Sequence, residues 1–354
     1  IVPYQVFGAV VIWPIYSLYL VVFGLPHNFL TWSVLLPKNN RSSFQWETIR
    51  TAAIICLIFC ALIPFTRNQE LGNWILSLIA YYSLWHAYRQ HHGICKLFDS
   101  IQSKRTGDLS LFSDRKALNL FFGLAAFSGT LWVFTHQDVH YLLSPTDQHK
   151  LIYPHIPFPV FQIYVAATLA IGAYAFKRVV YDRIKRGQFV PWPQIGLISV
   201  AIATYVVPFL FLPLEALPIT VAIGTIFHNV QYFGFVWAFE KSRSEEYQGR
   251  RELNALQKLV AGGKWVQLAG LALVYSFAVI GLFLSLPHNV GLAVIYFIGF
   301  AHYVIDGYMW RRNINLVLGP VMAKWTFSEA ISHGRSQSER SLPAKPLAMP
   351  NLDL

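Results

Sequence analysis

Charge is what this sequence has least of. Only 13% of its 354 residues are Asp, Glu, Lys or Arg, about half the share of an average soluble domain. That deficit excludes an ordinary water-soluble globule, and 55% hydrophobic content excludes a disordered chain. Cysteine is also scarce. Cys56, Cys60 and Cys95 stand in apolar stretches, which excludes a disulfide framework and a CxxC zinc site and leaves them as small buried hydrophobes. The common nucleotide and hydrolase signatures are missing too: no Walker-type loop, GxGxxG, GxSxG or HExxH occurs. The chain opens on Ile1 rather than Met, so a preceding piece is expected. No cleavable signal peptide is read in the residues after Ile1.

In place of charge the chain has apolar runs of about twenty residues, the length a helix needs to cross a bilayer. They fall at residues 4–24, 49–66, 73–97, 117–136, 158–177, 193–212, 216–239, 265–286 and 289–310. The expected fold is therefore an all-α integral membrane protein, a polytopic bundle of about nine transmembrane helices. It divides into a membrane domain (1–327) and a flexible cytoplasmic tail (328–354) rich in Ser, Pro and charge.

Orientation follows from where the few charges sit. With the N-terminus outside and the C-terminus inside, all of the 28 Lys and Arg lie in inner segments except Arg67, Lys150 and Arg89. That is the bias expected of cytoplasmic loops, and an even number of spans scrambles it. The net charge of +11 thus records orientation, aided by anionic headgroups. It is no nucleic-acid footprint, which needs a basic stripe with interleaved aromatics, so no nucleic-acid partner is expected. Trp13, Trp46, Trp192, Trp237, Trp265 and Trp310 near span ends fit an interfacial aromatic belt. A multi-pass protein of a bacterial inner membrane is the expected setting, with the lipid bilayer as partner.

Ionisable groups inside spans are costly and rare, so each is a functional candidate. Of 17 carboxylates Asp306 alone falls within a span. Of 12 histidines, His27, His86, His91, His92, His228 and His302 lie in spans or at their ends. At 1.5 Å per residue from the outer ends, His86, His228 and His302 lie about 18–20 Å deep, with His91 and Asp306 at about 25–27 Å. His27 follows a Gly24-Leu25-Pro26 break at the inner end of the first span. Imidazoles at one level on four helices, with one carboxylate, suit iron, manganese, zinc or copper.

Local spacing adds detail. His302 and Asp306 are i, i+4, as are His228 and Tyr232, and His86 and Gln90. His91 and His92 point about 140° and 240° round from His86, so His91 converges with it only through a π-bulge or a metal set off the helix. All six histidines and Asp306 stand as candidate metal ligands, and Tyr232 and Asp306 as candidate catalytic groups. Two other uses stay open at this point: a His/Asp relay in a transporter or channel, and axial ligation of haem, or quinone binding, in a partner protein. His136, His140, His149 and His155 in one outer loop read as a solvated loop rather than a zinc site. Arg89 snorkels to the interface or balances Asp306. The string Leu-Pro-His-Asn occurs at 25–28 and 286–289 and does not amount to a repeat.

Several of these segments resemble a known family. Phe23-Gly24-Leu25-Pro26-His27 is similar to the Gly-Leu-Pro-His motif that closes the first span of the Brp/Blh membrane proteins. Phe227-His228 with Phe233-Gly234-Phe235-Val236-Trp237 resembles that family's segment ending in Phe-x-Phe-Val-Trp. His302-x3-Asp306 resembles its late His-x3-Asp segment, and His86 sits where the family has a His on its third span. That family cleaves β-carotene to retinal with non-haem iron and dioxygen.

The resemblance implies iron-binding roles for His27, His86 and His228. The chain departs from the pattern at Tyr232, where the family has a second His, and at Asn28 and Thr31, where it has Gly and Asp. His91 and His92 are additions. The expectation is a membrane-embedded non-haem oxygenase holding Fe(II) in a mononuclear or dinuclear site, with dioxygen as co-substrate. Its substrate is an apolar lipid such as a carotenoid or isoprenoid, and oxidative cleavage is one possible outcome. His302, Asp306 or His91 substitutes in the rebuilt site, and Tyr232, Tyr303 or Tyr308 positions the substrate.

Overall fold

The computed structural model describes residues 8–37, 40, 44–62, 69–108, 111–136, 150–247, 252–311, 315 and 318. Among them the chain is helical, apart from loops and an isolated bridge between Phe44 and Asn315. The first helix runs as α1 (Ile12–Tyr19), a π-helical turn (Leu20–Gly24) and α2 (Leu25–Leu35). Then come α3 (Trp46–Ala61), α4 (Gln69–Thr106), α5 (Leu111–Val133) and α6 (Phe158–Phe176). A second π turn (Lys177–Tyr181) continues α6 into α7 (Asp182–Lys185). The chain ends its described course with α8 (Trp192–Phe211), α9 (Leu217–Tyr247), α10 (Ala255–Ala261), α11 (Trp265–Ser285) and α12 (His288–Met309).

Punctuation follows side-chain chemistry. Pro157, Pro191 and Pro287 stand immediately before α6, α8 and α12, where a missing N–H costs nothing. Gly187 and Gly263, just beyond α7 and α10, take φ of 65° and 66°, a left-handed conformation that spares glycine the Cβ clash. At the start of α10, Asn254 accepts from the Gln257 backbone N–H at 2.9 Å while Gln257 accepts from the Asn254 N–H at 3.1 Å. The two form a reciprocal cap.

Helix is found in every segment expected to span. Six stretches are long and apolar enough to cross a membrane: Ile12–Leu35, Asp114–Val133, Phe158–Lys185, Trp192–Phe211, Leu214–Glu246 and Trp265–Ser285. The three other expected spans are helical but are not among these six. α3 has 16 residues, α4 carries Arg89, Gln90, His91, His92 and Lys96 in mid-course, and α12 is apolar over its described stretch, Ala293–Met309. Residues 4–7, 63–66 and the expected tail at 328–354 lie outside the described residues.

One expectation is overturned. Gly24-Leu25-Pro26 does not end the first span. The π turn absorbs Pro26, with the Leu25 N–H donating back to Leu20 O, and the helix continues to Leu35. A proline removes one i→i−4 bond and crowds the preceding turn, and a π turn relieves both demands inside a helix. His27 therefore sits inside a continuous helix, not at its end.

The outward faces are apolar. Ile163 is 70% exposed, Leu169 65%, Val274 65% and Leu284 74%. Leaving such side chains in water costs about 1.5–3 kcal/mol each, which a hydrocarbon surround removes. Inside, Leu30, Val34, Ile49, Cys56, Tyr232, Val236, Leu268, Ala301, Ile305 and Met309 form one core joining α2, α3, α9, α11 and α12. Ala87, Cys95, Phe122, Val179, Ile198, Ala201 and Tyr205 form another across α4, α5, α8 and the second π turn.

Two ionic clamps tie helix ends together at the basic side. Arg183 is fully buried and donates to Asp114 at 2.9 Å, to Asp108, and to Phe189 O at 2.6 Å. Arg243 and Glu240, both fully buried, pair at 3.2 Å, with Asn40 accepting from Arg243 at 2.7 Å and Gln257 donating to Glu240 at 3.0 Å. Breaking a buried pair strands its partner, at about 3–5 kcal/mol. Arg183→Met should therefore lower the unfolding midpoint in detergent by far more than Lys177→Met, whose exposed pair with Asp182 contributes at most about 1 kcal/mol.

Candidate metal centre

Four helices bring imidazoles together in the bundle. α2 supplies His27, α4 His86, α9 His228 and α12 His302, each no more than 6% exposed. Ring centroids lie 4.7 Å apart for His27 and His228, 4.5 Å for His27 and His302, 5.2 Å for His86 and His228, and 5.3 Å for His86 and His302. Two overlapping sets of ligand atoms result, His27 with His86 and His228, and His86 with His302 and Asp306. Within each set the atoms lie no more than 4.8 Å from one another.

The nitrogens of this cluster have few partners of their own. Nδ1 and Nε2 of both His27 and His302, Nε2 of His86 and Nδ1 of His228 are buried without a hydrogen bond. An unpaired buried polar atom costs several kcal/mol where no water is available. Converging imidazole lone pairs at this spacing are a donor set that fits a divalent transition metal.

Asp306 is the anionic partner, and its two oxygens are used differently. Oδ1 accepts from Trp310 Nε1 at 2.7 Å, from Tyr232 Oη and, at 3.4 Å, from Thr31 Oγ1. Oδ2 faces His86 Nε2 at 3.8 Å, too long for a hydrogen bond. Thr31 and Tyr232 hydroxyls are themselves 2.7 Å apart, and the Tyr232 ring packs edge-on to His27 at 4.3 Å. Three donors on one oxygen fix the carboxylate and leave the other oxygen turned toward the histidines. Tyr303 flanks the cluster, 5.0 Å from His86 and 5.4 Å from His302.

No family model, curated protein or solved structure matches this chain. What the site can do rests on its own geometry.

The expected ligands do not all meet. His91 is buried 5.7 Å from His228, but its Nδ1 engages Gln231 Oε1 at 2.6 Å and its ring stacks on Phe227. It belongs to neither set of ligand atoms, because α4 is α-helical throughout and no π-bulge turns position i+5 back toward His86. His92 is turned away and stacks on Tyr88 at 5.7 Å with an interplanar angle of 7°. Tyr308 lies under the Arg311 guanidinium. Arg89 sits over the Trp85 ring rather than beside Asp306. After α5, His136 is held by Trp132 O at 3.0 Å, and His140 and His149 lie outside the described residues.

Sequence reasoning misses Thr31 and Trp310 as residues that hold the carboxylate. Both carry a usable signal, since Thr31 is i+4 from His27 and Trp310 is i+4 from Asp306. Removing the Tyr232 hydroxyl should release Asp306. Tyr232→Phe is expected to lower stability by about 1–3 kcal/mol, read as a shift in the thermal midpoint, and an unchanged midpoint would show that this bond holds nothing.

Proposed function

We propose that the protein is a membrane-embedded non-haem metal oxygenase, with iron as the metal, acting with dioxygen on an apolar lipid such as a carotenoid or isoprenoid. The observation that carries this is the convergence of His27, His86, His228 and His302, with unpartnered nitrogens, beside a single oriented carboxylate. His27, His86 and His228 would hold the metal, with His302 and Asp306 adjoining them through the shared His86. Bound there, ferrous iron with open coordination positions supplies the means to activate dioxygen. The resemblance to the Brp/Blh proteins points the same way, and both departures at Thr31 and Tyr232 fall on residues that hydrogen-bond Asp306.

Each neighbouring residue has a task in this proposal. Thr31, Tyr232 and Trp310 hold Asp306 in one orientation, so its free oxygen either ligates directly or fixes the His86 ring, as outer carboxylates do at metal sites. The Tyr232 hydroxyl, bonded to Asp306 while its ring packs on His27, is an exchangeable proton that the carboxylate can accept or return. Tyr303 lies against two of the histidines and positions substrate. Exclusion of water by the surrounding core protects a reactive oxygen species from solvent protons. In this proposal the chain crosses the membrane nine times, with α3, α4 and α12 packed among the six other spans and the basic loops on the cytoplasmic face.

A proton relay for transport needs a polar path on both sides of the cluster. Val34, Val236, Ile305 and Met309, all fully buried, pack the side toward Trp310, which favours a closed centre over a path.

Metal analysis of the purified protein tests the proposal. Wild type should carry near-stoichiometric iron. His228→Ala should lose it while remaining inserted and monodisperse, and Asp306→Asn should weaken it about 10–100-fold. His92→Ala should keep it. Full metal retention in His228→Ala would overturn the assignment. Expression in a carotenoid-accumulating host then reads the substrate class as loss of colour in wild type but not in His228→Ala.

A further inference from the structure

Away from the histidine cluster, α5 and α6 are antiparallel neighbours tied at three levels. At the basic end Arg178, in the π turn that continues α6, donates to Asp114 at 2.9 Å. Farther along, Phe121 packs so closely on Gly172 that a Cβ there would lie 2.6 Å from its ring. Beyond that the Tyr164 hydroxyl donates to Leu124 O. Between the first two ties lies a groove of about 300 Å³. Its walls step along one face of each helix, Asp114, Ala117 and Leu120 on one side and Arg178, Tyr174 and Ile171 on the other. Lys116 joins them at the charged end.

The groove changes character along its length. α5 carries Asp114, Arg115 and Lys116 and then no charge from Ala117 to Val133, while α6 is uncharged from Phe158 to Phe176 and charged from Lys177 onward. Both helices thus switch from charged to apolar at one level, and both lie in stretches long and apolar enough to cross a membrane. Leu120 and Tyr174 are exposed, so the apolar end opens outward rather than into the bundle. At the charged end cations outnumber what the carboxylate can hold. Asp114 is shared between Arg178 and the fully buried Arg183, 2.9 Å from each. Arg178 spends one guanidinium nitrogen on it. Lys116 is exposed, with no hydrogen bond or ion pair among the described residues.

We infer that this groove binds an anionic phospholipid, with its phosphate on Lys116 and Arg178 and the start of one acyl chain laid between Ala117 and Tyr174 and between Leu120 and Ile171. The occupant follows from the two ends taken together. A free phosphate satisfies only the charged end, and a lipid of no net charge gains little from surplus cations. An anionic phospholipid makes the same step from charge to hydrocarbon that the groove makes, and each basic residue near an anionic headgroup adds to its hold. From Asp114 to Leu120 is six residues, about 9 Å of helix, so the groove takes the first part of a chain and leaves the remainder in the bilayer. Neither helix supplies a ligand to the histidine cluster, and the inference does not rest on the oxygenase proposal.

The test uses the full chain, purified in detergent and titrated with phosphatidylglycerol or phosphatidylcholine, with bound lipid and the thermal midpoint as readouts. Wild type should bind phosphatidylglycerol in preference to phosphatidylcholine and gain midpoint from it. Lys116→Ala with Arg178→Ala should weaken that binding at least about tenfold. Lys185→Ala with Arg186→Ala removes the same charge from the same end and should leave it unchanged. Ala117→Trp keeps every charge, fills the groove and should weaken binding as the first pair does. Should the first pair not fold, Lys116→Ala alone, which leaves the Asp114 contacts intact, is expected to weaken binding about fivefold. Equal losses in the two double variants would reduce the effect to a basic surface and overturn the site. Full binding by Ala117→Trp, or phosphatidylcholine held as tightly as phosphatidylglycerol, would overturn it too. An equal rise in midpoint with millimolar inorganic phosphate would assign the charged end to a free anion and overturn the lipid.

Discussion

Polar atoms buried among hydrocarbon-facing helices must find partners, and most of this structure is arranged around that demand. Near helix ends it is met by ion pairs, as at Arg183 and Arg243, whose charges are fully buried and paired with carboxylates. Among the imidazoles of His27, His86, His228 and His302 it is left unmet at six ring nitrogens. Such an arrangement is costly, and four separate helices share the cost. A cluster of this kind is stable to the extent that something else completes it, and a metal ion is the partner whose size and charge suit converging nitrogens.

The carboxylate is built the opposite way. Asp306 takes three donors on one oxygen, from three different helices or helix ends: Thr31 on α2, Tyr232 on α9 and Trp310 beyond α12. Its position is over-determined where the histidines are under-determined. The pairing joins a rigid anionic anchor to a set of rings free to settle on a cation. It also ties the site to the main core, since Tyr232, Val34 and Ile305 belong to that core.

Much of this is legible in the sequence because the membrane simplifies the reading. Apolar runs mark helices, and an ionisable residue within one stands out against them. Depth alone places His86, His228 and His302 at one level, and the structure brings them together with Asp306. What cannot be read is rotation about each helix axis beyond an ideal 100° per residue. His91 and His92 read as ligands because they follow His86 on the same span, yet they face Gln231 and Tyr88. The Gly24-Leu25-Pro26 string reads as a stop because proline usually ends a helix, and a π turn is not encoded in composition or hydropathy. Thr31 and Trp310 are within reach by i+4 spacing but are ordinary residues until their partner is known.

The π turn at Leu20–Gly24 has a consequence for how the first helix can change. It holds one residue more than an α-helical turn, so the segment before it and the segment after it are set about 100° apart from where a continuous α-helix would put them. Tyr19, on one side of the turn, bonds Thr225 and Asn229 of α9, and His27, on the other, enters the cluster. Loss of a single residue from this turn would leave a helix just as apolar and just as able to cross the membrane, with Tyr19 and His27 unable to face inward together. The first helix thus works as two half-helices with independently chosen faces, joined by a register step one residue wide.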